Sequence, residues 1–379
     1  MNYAQKFLDT LKKGIIIFHE KEKEEHPRII GRYHPSSIGD CLRKQYYDFY
    51  IEKPPSEEKL VIFATGKGIH EIITKILKES NVVQVDASEF ETELDFGEYK
   101  LHGRVDIIIL NVDSEKTIVE VKTVSKIPKR PLEKHVLQLQ TYLHALKINN
   151  GILLYWDKRK GKLETFSIVK DDNILNILKE RTHILHEHII NKKEPIKEMA
   201  LKEEFFECLN CEYKEICRPL KMDIEDGSEI VILEIDNVLL NTEKRKEMCL
   251  KELNLPLDTN LKEIESKIRE EFFNLYYSER YLSYDEPIHE NIDKALRYYM
   301  QNKHLVIITN RPKKMRKATI DQLIDIGIPY EQIFMRNDFY KGLEFKLAII
   351  KLILASGYKI FDIIDEEETL KKIKKRLNL

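Results

Sequence analysis

Apolar residues between Lys67 and Glu79 recur at helical spacing, with Ile69, Ile72, Ile73, Ile76 and Leu77 on one stripe, and this predicts an amphipathic helix. Three strand-like segments follow, Glu89–Asp95, Tyr99–Leu110 and Lys116–Thr123. The turn Asn111-Val112-Asp113-Ser114 joins the last two as a hairpin. Pro131 stands where helices begin, so Leu132–Ile148 reads as a helix. Strands at Ile152–Trp156 and Lys162–Ile168 and a long helix over Ile174–Ile190 complete the first half. The expected product is a mixed sheet flanked by helices.

The second half has a different rhythm. Short apolar runs at Ile230–Ile235, Leu305–Thr309, Gln332–Met335 and Ile360–Ile364 alternate with helical patterns. That alternation predicts a parallel, doubly wound sheet, whose chemistry gathers at the carboxyl ends of its strands. Glu234, Asp236, Asp365 and Glu366 fall there. The polar stretch Lys221–Ser228 separates the halves, so domains are expected over 1–222 and 229–379. A length of 379 residues and a 42% hydrophobic share suit two such cores.

Charge narrows the function classes. The 63 Lys and Arg nearly balance 65 Asp and Glu, for a net charge of −2, which excludes a uniformly basic nucleic-acid binder. A local basic groove is still compatible with that balance. Lys122, Lys126, Lys129, Arg130, Lys134 and His135 form one dense basic segment, and Lys158-Arg159-Lys160 forms another just after Tyr155-Trp156. Clustered cations suit phosphates, and exposed aromatics suit unpaired bases. No apolar run approaches the ~18–20 residues of a membrane span. The opening Met1-Asn2-Tyr3-Ala4-Gln5-Lys6 lacks a signal peptide's apolar core. A cytoplasmic protein without membrane contact is the expectation.

The first candidate chemistry is Asp106 with Glu120-Val121-Lys122. Side chains alternate along a strand, so Glu120 and Lys122 share a face while Val121 takes the other. A hairpin brings Asp106 alongside. Two carboxylates and an ammonium suit Mg2+ or Mn2+ and metal-assisted phosphodiester hydrolysis. His70, near the start of its helix, is a candidate extra ligand. Gln138 and Tyr142 lie four residues apart and so face the same way.

The five cysteines are too sparse for a disulfide scaffold. Cys208, Cys211 and Cys217 cluster, Cys41 lies far upstream, and Cys249, without a partner, reads as a small apolar residue. Cys41 with the cluster supplies four thiolates, enough for a structural zinc site or an iron–sulfur centre, and spacing does not choose between them.

The order His70, Asp106, Glu120-Val121-Lys122, Gln138-Leu139-Gln140-Thr141-Tyr142 resembles the RecB-type branch of the PD-(D/E)xK nucleases. An early cysteine in Ser36-Ser37-Ile38-Gly39-Asp40-Cys41 and three late ones resemble the CRISPR-associated exonuclease family within that branch. The resemblance implies a restriction-endonuclease-like mixed sheet. It implies that His70, Asp106 and Glu120 hold the Mn2+ or Mg2+ with help from the Val121 carbonyl, and that Lys122 is the catalytic lysine. Gln138 and Tyr142 become active-site or DNA-contacting residues. It favours a [4Fe–4S] cluster over zinc on Cys41, Cys208, Cys211 and Cys217. Substrate and partners follow: single-stranded DNA ends, and the CRISPR integrase complex or, otherwise, recombination and repair.

Val231–Asp236, Ile307–Pro312, Lys346 and Ile363–Glu366 resemble the Rossmann-like haloacid-dehalogenase superfamily, and Thr309–Arg311 through Phe334–Arg336 is similar to its polynucleotide 3′-phosphatase branch. A helical stretch near 243–283 reads as an inserted cap. The resemblance implies phosphate binding by Thr309, Arg311 and Lys346, Mg2+ binding by Asp236 and Asp365, and nucleic-acid contact by Arg336. Glu234 stands where the family carries its nucleophilic aspartate, with a carboxylate about one bond, ~1.5 Å, further out. Asn237 and Val238 replace the usual glycine and threonine. A degenerate domain that binds phosphorylated ends with impaired or absent turnover is therefore expected. The leading expectation for the whole chain is a metal-dependent DNA exonuclease; the competing one is a non-catalytic DNA-binding or assembly subunit.

Overall fold

Strand residues of the first half alternate between two faces, and each face is covered by a different helix. The structure is a computed structural model that describes residues 3–25, 27–51, 53–80, 82–110, 115–336 and 342–378. It divides into two compact units, Met1–Glu198 and Met199–Leu379. The expected hairpin turn at Asn111–Ser114 lies outside the described residues.

The first unit comprises α1 (Tyr3–Glu25), β1 (Arg32–Tyr33), α2 (Leu42–Tyr50), α3 (Glu57–Ser80), β2 (Gln84–Asp95), β3 (Lys100–Leu110), β4 (Lys116–Val124), α4 (Glu133–Leu146), β5 (Asn150–Asp157), β6 (Lys162–Val169) and α5 (Asp172–Ile190). Its six-stranded sheet runs β1-β3-β4-β5-β6, with β2 also pairing β3. The β4–β5 pair is parallel, while β2–β3, β3–β4 and β5–β6 are antiparallel. Val119 and Val121 pack with Ile73 of α3, and Ile118, Leu153 and Tyr155 pack with Leu139 and Leu143 of α4. Burying each such aliphatic side chain contributes roughly 1.5–3 kcal/mol.

Two elements differ from the sequence expectation. α3 begins ten residues before Lys67, at Glu57. Ser56 Oγ accepts the Lys59 N–H there, and Glu57 and Glu58 occupy the first turn, where acidic side chains suit the helix dipole. His70 is consequently mid-helix rather than near a helix start. α1 was not expected; it packs along α3.

The second unit opens within α6 (Glu198–Leu201) and continues with α7 (Phe205–Asn210), α8 (Lys214–Cys217), β7 (Glu229–Leu233), β8 (Leu240–Asn241), α9 (Glu243–Glu252), α10 (Ser266–Tyr276), β9 (Glu286–Pro287), α11 (His289–Met300), β10 (His304–Pro312), α12 (Arg316–Asp325), β11 (Gln332–Arg336), α13 (Gly342–Ala355), β12 (Lys359–Ile364) and α14 (Glu367–Leu377). The main sheet is parallel throughout, in the order β11-β10-β7-β12. Ile230, Ile232, Val306 and Ile308 face α13, whereas Val231, Leu233, Leu305 and Ile307 face the opposite core with Ile292 and Ala295 of α11. α9 and α10, within the stretch read as an inserted cap, share a small core around Cys249 and Phe272.

The stretch 199–222, expected in the first domain, packs with the second unit. Phe205, Leu220 and Met222 are buried beside Ile230, Ile349 and Tyr358. The Leu220 N–H donates to Ser356 Oγ at 3.0 Å and the Met222 N–H to Tyr358 Oη at 2.9 Å. The polar run Lys221–Ser228 that reads as a linker conceals Met222 among these apolar anchors. Among the described residues, no helix is long and apolar enough to cross a membrane.

Candidate functional site

β3 and β4 pair from Leu110↔Lys116 to Ile107↔Val119, and there the ladder stops. The next residue on each strand is Asp106 and Glu120. A backbone N–H freed by such splaying needs another acceptor, and Asp106 Oδ2 accepts the Val121 N–H at 2.8 Å. On its other edge β4 stays paired with β5, through Glu120↔Leu153 and Lys122↔Tyr155. The acidic pair is thus held on strands that part on one side and remain rigid on the other.

α4 presents Gln138 to this opening. Its Nε2 donates to Glu120 Oε1 at 2.7 Å, and its Oε1 accepts from Lys122 Nζ at 2.7 Å. Lys122 Nζ also donates to Glu120 Oε1 at 2.8 Å. Tyr142, one turn on, lies 3.3 Å from Gln138 Nε2. From α3, His70 Nδ1 lies 3.2 Å from Asp106 Oδ1. The structure therefore brings His70, Asp106, Glu120, Lys122, Gln138 and Tyr142 into one cluster.

Burial, then the charge of Asp106, pushes the Glu120 carboxyl up to about 7. Burial pulls Lys122 down, but the charges of Glu120 and Asp106 outweigh it and hold the ammonium protonated. For His70 the order is the same: burial lowers it, the Asp106 hydrogen bond and charge outweigh that, and its pKa is raised. Glu120 is 1% exposed, yet its Oε2 has no hydrogen-bond partner. A buried carboxylate oxygen without a donor is costly. Oxygen and imidazole donors around such an atom fit a hard divalent cation. One ligand atom each from His70, Glu89 and Asp106 lies within 4.8 Å of the others. Glu89 escaped the sequence reading; its signal is its register opposite Asp106.

The basic segments need correction. The Lys158 N–H donates to the Val124 carbonyl at 3.1 Å and Arg159 Nε to the Ser125 carbonyl at 2.6 Å, so the two segments adjoin. Tyr155, however, is 0% exposed, and its hydroxyl meets His135 Nδ1 at 2.9 Å, so it offers no ring for stacking on a base. Burial and then the Lys122 charge lower His135 to about 3, which leaves it neutral and outside the cationic set.

In the second unit the candidate residues meet at the carboxyl ends of the strands, but as closed ion pairs. Lys346 Nζ lies 2.7 Å from Glu234 Oε2 and 2.5 Å from Asp365 Oδ2. Asp236 Oδ1 accepts from Arg245 Nη2 at 2.5 Å and from Arg311 Nε and Nη2 at 3.0 and 2.7 Å. Arg311 Nη2 also lies 3.2 Å from Asp285 Oδ2, and Arg245 Nε lies 3.0 Å from Asp285 Oδ1. Both arginines are 0% exposed. Burial alone would raise Asp236, but the two guanidinium charges hold it below its usual range. Burial pushes Asp365 up to about 6 despite Lys346. Thr309 is buried, and its Oγ1 accepts the Arg311 N–H at 3.3 Å. Arg336 Nε donates to the Asn310 carbonyl at 3.0 Å. With these carboxylates already matched by cations, a Mg2+ ion on Asp236 and Asp365 fits poorly without displacing a guanidinium or ammonium. Arg245 and Asp285 were not foreseen, because nothing in their local sequence marks them as partners.

Cys41 caps α2 in the first unit, while Cys208, Cys211 and Cys217 lie on and around α7 and α8 in the second. None of them forms a disulfide. Cys249 is fully buried, and burial pushes its thiol up to about 11, as suits a core residue.

Residues 51–218 match the PD-(D/E)XK nuclease superfamily. The match spans 51–198 of the first unit and runs on to residue 218 in the second. Over 142 residues the chain is 28% identical to the CRISPR-associated exonuclease Cas4 of Saccharolobus solfataricus, covering 36% of this chain and 70% of that protein. The crystal structure of SSO0001 covers 58% of this chain and is matched over 100% of its own, at 24% identity and a TM-score of 0.44. An alkaline exonuclease from Laribacter hongkongensis is matched over 95% of its chain and 46% of this one, at 12% identity and a TM-score of 0.30.

Proton competition at the Asp106–Glu120 cluster gives a pH prediction. Glu120 is raised to about 7, so as pH falls through that value it holds a proton that a cation must displace, and the raised pKa of His70 acts in the same direction. Mn2+ affinity should be several-fold weaker at pH 6 than at pH 8. Calorimetry in buffers of different ionisation enthalpy should show proton release that shrinks with rising pH and is smaller in Glu120→Gln. Equal affinity at both pH values would contradict this.

Proposed function

We propose that the chain is a divalent-cation-dependent DNA exonuclease acting on single-stranded ends. The observation that carries the reading is the convergence of Asp106, Glu120 and Lys122 where the β3–β4 ladder parts, with Glu120 Oε2 buried and unpartnered. His70, Asp106 and Glu120 would hold a Mn2+ or Mg2+ ion, aided by the Val121 carbonyl, and the bound ion supplies Lewis-acid stabilisation of charge on the phosphoryl oxygens. Lys122, held protonated, places an ammonium beside that charge and orients the attacking water. Gln138 fixes the lysine and Glu120 together by bonding both, and Tyr142 braces Gln138. The adjoining basic segments 126–134 and 158–160 supply phosphate contacts along the strand.

Likeness to a CRISPR-associated exonuclease favours a role in spacer acquisition with the integrase as partner. Labelled single-stranded DNA incubated with Mn2+ tests the catalytic claim. Wild type should degrade it, and Lys122→Ala should be slower by about 10²–10³-fold, the loss typical of a positioned charge-stabilising group. If both forms bind the DNA and neither degrades it, the chain is a binding or assembly subunit instead.

The closed ion pairs of the second unit support a haloacid-dehalogenase-like domain that recognises phosphorylated ends without efficient turnover. Glu234 is clamped by Lys346 rather than free to attack, and Asp236 is neutralised by Arg245 and Arg311. Thr309, Arg311 and Lys346 remain the candidate phosphate contacts. A 3′-phosphorylated oligonucleotide should release no phosphate above background. Rapid release that disappears in Asp236→Asn would overturn the reading.

For Cys41, Cys208, Cys211 and Cys217 the donor set suits either zinc or a cluster, and the resemblance to the CRISPR-associated exonuclease family is what favours [4Fe–4S]. Anaerobically purified protein should be coloured and contain iron and sulfide in equal amounts. Colourless protein with stoichiometric zinc would replace the cluster with a structural zinc ion.

A further inference from the structure

Glu89 belongs to β2, the strand on the far side of β3 from Glu120. Its neighbours pair as Ser88↔Ile107 and Phe90↔Val105, which sets Glu89 directly across from Asp106. The Glu89 backbone is left-handed, with φ of 52°, a conformation uncommon outside glycine. One of its carboxylate oxygens joins a ring nitrogen of His70 and an oxygen of Asp106 within 4.8 Å. Glu89 Oε2 lies 2.5 Å from Arg104 Nε. An independent feature points to a ligand beside this group: the buried Oε2 of Glu120, in a side chain 1% exposed, has no partner, and the charges of Asp106 and His70 act on that carboxyl.

We infer that Glu89 is a further ligand of the divalent cation, closing the site from β2 while Glu120 closes it from β4, with Asp106 between them on β3. The inference rests on the cation-dependent nuclease reading and deepens it by enlarging the ligand set. The chemistry that Glu89 would recognise is a hard divalent ion of the Mg2+ or Mn2+ class, for which carboxylate and imidazole donors around several retained waters are the usual shell. Glu89 is exposed, so its replacement disturbs no core.

Mn2+ binding to the full chain, followed by the loss of the electron paramagnetic resonance signal of the free ion, tests this without any assay of cleavage. Wild type, Glu89→Gln, Glu120→Gln and Arg104→Ala are compared, with thermal melting to verify folding. Glu89→Gln should weaken Mn2+ at least about tenfold, the lower end of what loss of a metal-site partner costs. Arg104→Ala, which removes the ion pair but not the carboxylate, should stay within threefold of wild type. If Arg104→Ala weakens Mn2+ as much as Glu89→Gln, the effect belongs to the ion pair and the ligand assignment fails. If Glu120→Gln weakens binding and Glu89→Gln does not, the inference fails while the nuclease reading stands. If wild type takes up no Mn2+, both fall.

Discussion

The hydrogen bond from the Val121 N–H to Asp106 Oδ2 is where ladder geometry and candidate chemistry become one problem. An antiparallel pair normally satisfies its amides with main-chain carbonyls. Beyond Ile107↔Val119 that partner is gone, and an acidic side chain takes its place. The substitution keeps Asp106 oriented, and the strands part enough for Gln138 and His70 to reach the gap from helices on different faces. Glu120 pays the electrostatic penalty, with burial and a neighbouring carboxylate raising it and one oxygen left without a donor. That unmet demand is what makes the cluster read as a cation site rather than as an ordinary ion pair.

The second unit solves a similar problem in the opposite way. Its buried carboxylates are each met by a lysine or an arginine, and Tyr276 lies under the Arg245 guanidinium at 4.3 Å. Buried pairs of this kind add little net stability, but removing one partner typically costs ~3–5 kcal/mol. The two centres therefore differ in what they leave open. The first leaves Glu120 Oε2 without a donor; in the second every carboxylate faces a cation, although Asp236 Oδ2 also lacks a hydrogen-bond partner.

Much of the first centre was legible in the chain. Strand periodicity puts Glu120 and Lys122 on one face, and i,i+4 spacing puts Gln138 and Tyr142 on another. The mixed and the parallel sheets were likewise readable from alternation and run length. Glu89 was not, because its placement depends on the register of β2 and on one left-handed residue, neither of which has a local sequence signature. Arg245 and Asp285 were hidden because their partners are remote in the chain. The division at Glu198 was missed for a related reason: Leu220 and Met222 sit singly among polar residues, and only the packed core reveals them as anchors. Tyr155 shows the reverse error, since an aromatic beside a basic run looks exposed until its strand is seen to be central.

The origin of Arg245 carries a consequence for the helical insert. The side chain rises from α9 and ends among carboxylates that follow β7 and precede β9, so a charge from the insert neutralises the crevice beside the main sheet. Lifting α9 away would leave Asp236 and Asp285 to share Arg311 as their one arginine partner. The insert is thus a keystone rather than a door, fastened to the crevice by the ion pairs of Arg245.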